Sequence, residues 1–169
     1  MFVMFGVLLL MGRQIYQLAP PIPEAVTAKN GETLFTRADI ETGQNVWQSI
    51  GGMEQGSIWG HGSYLAPDWS ADWLHREAQA LLALSSSMAP TGVSPAQADA
   101  ISKAALQNEM RANTYDPASG VITVSKTRAL AIKQVQAHFV SLYVGDDAAS
   151  LDLRRCYAFP VHGRLSATE

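Results

Sequence analysis

Residues 43–77 read GQNVWQSIGGMEQGSIWGHGSYLAPDWSADWLHRE and contain all four tryptophans of the chain, Trp47, Trp59, Trp69 and Trp73, together with His61 and His75. Glycine permits tight turns and close backbone approach, and tryptophan is the largest rigid apolar surface a chain can carry. A stretch that mixes the two so densely cannot be one plain helix. It predicts a shaped loop ordered by aromatic packing, with a surface against which something else presses.

The rest of the chain limits what that loop can serve. With 169 residues, 47% hydrophobic and 16% charged, the chain can bury one core and is globular or membrane-linked. A net charge of −3 gives no basic footprint, which argues against a nucleic-acid partner. The single cysteine, Cys156, cannot form an internal disulfide and has no Cys/His spacing around it for zinc.

Residues 1–11, MFVMFGVLLLM, are apolar throughout but fall short of the roughly 20 residues of a spanning helix. Continued through Leu18, with Arg13 and Gln14 snorkelling and Tyr16 at the interface, the helix nearly spans. We read 1–18 as an incomplete membrane-anchoring helix in the lipid bilayer; a cleaved signal is the competing reading, weakened by the lack of a basic segment ahead of the apolar run. Three prolines in APPIPEA (19–25) then favour an extended linker arm over 19–35, with a turn at Asn30 and Gly31.

The expected domain, 36–160, is mainly α with one short β element. Its first helix covers 39–50, with Asp39 as N-cap, Ile40, Gly43, Trp47 and Ile50 on one face, and Gly51 and Gly52 as the stop. A rigid loop follows over 53–70, then a helix to about Leu84 with Leu74, Ala78, Leu81 and Leu82 as its apolar face. The next helix carries the capping box Ser94, Pro95 and Gln97 and runs to about Arg111, with Ala98, Ile101 and Ala105 inward. A strand or hairpin is expected at 114–124, and a last helix over 127–144 shows Ile132, Val135, Phe139, Leu142 and Tyr143 on one face.

Candidate chemistry is sparse. His61 and His75 form a two-histidine metal site only if the loop folds back, and this reading makes the chain an autonomous metalloenzyme; the plain alternative is a partner-facing His61 and a helix-surface His75. His138 lies at a core edge, and His162 has no context. Asp68, Asp72, Arg76 and Glu77 could pair as acid and base, yet Asp72 and Arg76 are spaced as a helix-surface ion pair. GSIWGHGSY lacks the preceding strand of a dinucleotide site, and no GxSxG or Cys/His pattern marks a nucleophile.

VWQSIGGMEQGSIWGHGSYLAPDWSADWLHREA over 46–78, with GRQIYQLAPPIPE over 12–24 and NEMRANTYDPASGVITVS over 108–125, resembles the N-terminal periplasmic region of quinol-dependent nitric oxide reductases, membrane enzymes of denitrification that reduce two NO to N2O. The resemblance implies a cytochrome c-like domain facing the periplasm, anchored at the bacterial inner membrane and capping a membrane catalytic section. The run from Gly60 to Pro67, GHGSYLAP, resembles the segment that follows the haem-attachment CxxCH in the companion subunit of cytochrome-dependent reductases. Counting back puts Gly52, Gln55 and Gly56 where the two thiols and the axial histidine would stand. The implied domain has therefore lost its haem, with Met53, Ile58 and Trp59 as candidates to fill the space.

In the same families the run reaches a calcium ion. Carried over, the Gly62 carbonyl and the Tyr64 hydroxyl become ligands, with the remaining ligands outside this chain and ordinary core packing as the alternative for Tyr64. Catalytic and cofactor-binding residues are expected to be absent: the b-type haems and non-haem iron belong to the membrane section. Residues 161–169, VHGRLSATE, depart from the family pattern, so the chain reads as an inactive N-terminal fragment. An independent membrane-tethered periplasmic binding module is the alternative.

Overall fold

The structure is a computed structural model that describes residues 2–62, 67–88, 90 and 92–156, and every structural statement here concerns those residues. The tail at 161–169, His162 and Tyr64 lie outside them, as does the side chain of Tyr16.

The chain is mainly helical with a small sheet. Helix α1 (Phe2–Leu18) exposes Val3, Phe5, Leu8, Leu9, Leu10, Ile15 and Leu18. Its 17 residues at about 1.5 Å each give about 26 Å against roughly 30 Å of hydrocarbon. Among the described residues no helix is long and apolar enough to cross a membrane.

The expected linker arm is instead part of the domain. Strands β1 (Ala25–Ala28) and β2 (Thr33–Thr36) form an antiparallel hairpin, closed where Gly31 takes φ 85° and donates its N–H to the Ala28 carbonyl. β1 also pairs in parallel with β4 (Val121–Val124), which pairs antiparallel with β3 (Tyr115–Asp116). The resulting sheet has the order β2-β1-β4-β3, larger than the single β element expected. The prolines hid this, because they end at Pro23, just before AVTA, and the partner of that strand lies nearly a hundred residues away.

Helix α2 (Arg37–Ser49) starts two residues ahead of expectation. Thr36 is its N-cap, and Asp39 is the reciprocal partner of a capping box: its carboxylate accepts from the Thr36 N–H at 2.8 Å. Gly51, at φ 71°, breaks the chain as expected, but a one-turn helix α3 (Gly52–Gln55) follows it inside the predicted loop. Helix α4 (Trp69–Ser87), capped by Asp68, starts ahead of and runs past its expected bounds, while α5 (Pro95–Arg111) is capped by the Ser94 and Gln97 box with Pro95 leading, as the sequence predicts.

The inward faces shift. On α5, Ile101 and Ala105 are exposed, while Ser102 is buried and donates its hydroxyl to the Ala98 carbonyl at 2.9 Å. A small, self-satisfied residue lets α4 and α5 approach where isoleucine would hold them apart. On α4, Leu74 is exposed, and Leu81 and Glu77 are the buried residues of that side.

Helix α6 (Lys126–Val144), capped by Ser125, buries Ile132, Val135 and Leu142 on the predicted face, together with Ala129 and Ala131. Ala129 and Ile132 pack with Ala28 and Val124 of the sheet to form the core. α6 is not the last helix: α7 (Ala148–Cys156) follows, started by Asp147, whose carboxylate accepts from Ser150 N at 2.9 Å. Arg154 of α7 donates to the Tyr143 carbonyl at 2.6 Å and also to that of Gly145, placing a cation on the negative end of α6.

Candidate functional site

The tryptophan and glycine stretch makes an aromatic wall at one end of α4 and α6. Trp47 of α2 meets Trp69 edge-on at 6.4 Å, Trp69 meets Phe139 at 6.3 Å, and Phe139 lies stacked on Trp73 at 5.3 Å. Trp69 is 6% exposed, so this aromatic is core. Trp73 belongs to the sheet core as well, leaning on Ala28, Val124, Ala129 and Ile132.

Beside the wall the chain makes a tight reversal. Ile58 and His61 exchange both backbone hydrogen bonds at 3.0 Å, and the two residues between them, Trp59 and Gly60, have φ of 53° and 75°. Positive φ at both central positions is the pattern of a type I′ hairpin turn, in which Asn-Gly is the usual pair. Trp59 is the one non-glycine residue at positive φ among the described residues. It sits at the turn tip with 73% of its surface exposed.

Asp68 holds this turn against α4. One carboxylate oxygen accepts from the Ser57 hydroxyl at 2.6 Å and the Gly60 N–H at 2.8 Å, and the other accepts from Ala71 N at 2.8 Å as the helix cap. These donors, the Ser57 hydroxyl foremost, hold the Asp68 carboxyl below the usual carboxylate range. The Ser70 hydroxyl receives the Trp59 N–H at 3.0 Å, a second tie across the same gap. An exposed tryptophan in a strained conformation is thus fixed by four polar contacts.

Between turn and wall lies an apolar groove of about 430 Å3, lined by Trp47, Ile58, Trp59, Trp69, Leu74 and Phe139 among others. Tyr143 closes its floor, and burial raises its hydroxyl above the usual phenol range, so it stays neutral. Leu74 is exposed because it rims this groove.

The positions aligned with haem attachment are filled differently from expectation. Of the three side chains expected to fill the space, Met53 and Trp59 are 37% and 73% exposed, and only Ile58 is half-buried. A side chain begun at Gly52 would run into the Trp47 indole, and one begun at Gly56 into the Trp69 indole and the Pro67 carbonyl. Where the thiol and the axial imidazole would stand, two tryptophan rings lie on bare backbone. With neither thiols nor an imidazole at 52, 55 and 56, and no room for a side chain at 52 or 56, these residues do not fit a covalently held haem.

The other candidates separate. His75 shares a 2.9 Å hydrogen bond with Gln79 on the helix surface, Asp72 and Arg76 pair at 2.7 Å as expected, and His138 sits half-buried against Phe139, its imidazole pushed down by burial and then by Arg76. Among the described residues no group of three or more His, Cys, Asp or Glu could hold a metal ion. Gly62 is exposed at φ 138°, and a side chain there would meet the carbonyls of Gly56 and Met53 at 2.6 and 2.9 Å. Only glycine fits it.

Sequence reasoning missed the strongest polar contact. Glu77, 3% exposed, accepts from Arg128 Nε at 2.7 Å and from Trp73 Nε1 at 3.3 Å, and Arg128 also donates to the Glu109 carbonyl at 2.9 Å. Fifty-one residues separate the partners, so no local spacing signals the pair.

No curated protein matches the chain. The model of one family, the NorB cytochrome c-like domain of nitric oxide reductase, matches residues 23–161 and so takes in the hairpin, the aromatic wall and all the helices after α1. That match covers well over half of the chain, which therefore belongs to the family of the NorB cytochrome c-like domain of nitric oxide reductase.

Proposed function

We propose that the chain is the N-terminal periplasmic cap of a quinol-dependent nitric oxide reductase, docked on the membrane catalytic section through the Trp59 turn and the groove behind it. The observation that carries this reading is Trp59 itself: a large apolar side chain held out at positive φ beside an apolar groove. Backbone strain of this kind persists when the surroundings impose it and commonly marks a functional contact. Buried against a partner, an indole of this size would be an anchor.

In this reading α1 reaches the inner membrane, quinol delivers electrons to centres outside these 169 residues, and the domain passes none. The Gly62 carbonyl and the Tyr64 hydroxyl would offer oxygen ligands to a calcium ion at the interface, suited to a hard cation but too few to hold it alone. The requirement for glycine at 62 and its exposure support a backbone presented outward there.

The test compares membranes of cells expressing the 169 residues alone with membranes in which the catalytic section is supplied as well. The short chain alone should show no haem absorbance and no NO consumption, and should co-purify with the catalytic section when both are present. Haem bound to the short chain, or co-purification unchanged by Trp59→Gly, sinks the proposal. The groove volume also suits a small apolar ligand, as an independent binding module would require. Saturable ligand binding in the groove with no affinity for the catalytic section would favour that reading instead.

A further inference from the structure

A second cavity, of about 350 Å3, opens on the opposite side of Trp73 from the docking groove, between the sheet and the helices α4, α5 and α6. Its size lies at the small end of the roughly 300–1,000 Å3 of ligand pockets. Val26, Phe35, Met110, Ile122 and Ile132 make apolar walls, and the Glu77–Arg128 pair makes a polar patch within them. Both Glu77 oxygens are engaged, one by Arg128 Nε and the other by the Trp73 indole. Arg128 uses Nε on Glu77 and Nη1 on the Glu109 carbonyl, while its Nη2 has no acceptor among the described residues.

We propose that this cavity binds a small neutral molecule with an apolar body and one carbonyl oxygen, the oxygen accepting from Arg128 Nη2. The charge balance selects the class. Glu77 already neutralises the guanidinium, so a carboxylate ligand would bring an uncompensated charge beside a buried carboxylate, which is costly. A plain alkane would leave the Nη2 hydrogens without an acceptor wherever it displaced water. A ketone, amide or lactone meets both conditions. The site is separate from the docking surface, and the proposal does not depend on that reading.

The probe series is nonane, 2-nonanone and nonanoate, titrated into the full chain in detergent, followed by the backbone amide resonances of Thr114, Tyr115 and Ile122 at the cavity and of Ile58 and Ser70 at the groove. We expect saturable shifts at the first three with 2-nonanone and at least tenfold weaker binding of nonanoate and nonane. Ala112→Phe, which puts a ring into the cavity from an exposed lining position outside the ion pair, should abolish the response. Should that variant fail to fold, the ketone-to-nonanoate ratio in the unaltered chain decides alone. No saturable shift with the ketone, equal binding of nonanoate, or shifts confined to Ile58 and Ser70 would each overturn the proposal.

Discussion

The two ends of Trp73 are built on opposite rules. On the sheet side, apolar residues of β1, β2, β4 and α6 pack beside an ion pair whose side chains are 4% and 21% exposed, and its principal hydrogen bonds are made within the domain. On the turn side, the polar contacts serve only to fix the backbone, and the aromatic surface is left facing out. One end makes most of its polar contacts within the domain. The other leaves the Trp59 indole and an apolar groove exposed, the surface that the proposed docking would use.

The contrast can be broken most forcefully at the ion pair. Arg128→Ala should cost about 3–5 kcal/mol in denaturant unfolding, because it leaves the Glu77 carboxylate buried and uncompensated. Replacing both partners with apolar residues of similar size should cost far less; an equally large loss would show that the pair contributes more than mutual neutralisation. Next in size, Gly52→Ala should cost about 1–3 kcal/mol by driving a methyl group into the Trp47 ring. Combined with Trp47→Ala, its effect should be well below the sum of the single changes, since the two share one space.

Trp59→Gly acts in the other direction. It relieves a left-handed conformation that costs a side chain about 1–2 kcal/mol to adopt, so thermal stability should rise while association with the catalytic section falls. Trp69→Ala, removing a core ring, should lower stability. If both changes moved stability the same way, the division between the two ends would be wrong.

The smallest effect concerns pH. Asp68 has its folded-state pKa below the unfolded value, so its contribution is fully present above the ordinary carboxylate range and is lost as pH falls through the depressed folded value. Asp68→Asn should therefore be less stable than the unaltered chain at neutral pH, with the gap closing under strong acid. Amide exchange at Gly60 and Ala71 would report it locally.

Local grammar was legible wherever neighbours in sequence are neighbours in space. The box at Ser94, Pro95 and Gln97 placed α5 to the residue, and the hydrophobic spacing of α6 named its buried face. Where distant segments decide, local spacing misled. Ala25–Ala28 became a central strand through a partner at Val121–Val124, and α5 buries Ser102 in place of Ile101. At the site, the tryptophans and glycines were visible as a group, but not that Trp69 would be core and Trp59 surface. A tryptophan at the first position of a type I′ turn violates local preference, and nothing in the sequence signals such a choice.

The rings resting on Gly52 and Gly56 also restrict how this chain can change. A single replacement at either glycine, toward a thiol or an imidazole, collides with a tryptophan before any haem could compensate, and a single loss of Trp47 or Trp69 opens a hole with nothing to fill it. Each single change at one of these ring and glycine pairs therefore passes through a less stable protein. Making room at 52 or 56 takes paired substitutions, ring and glycine together, so the two positions of each pair are bound to change as one.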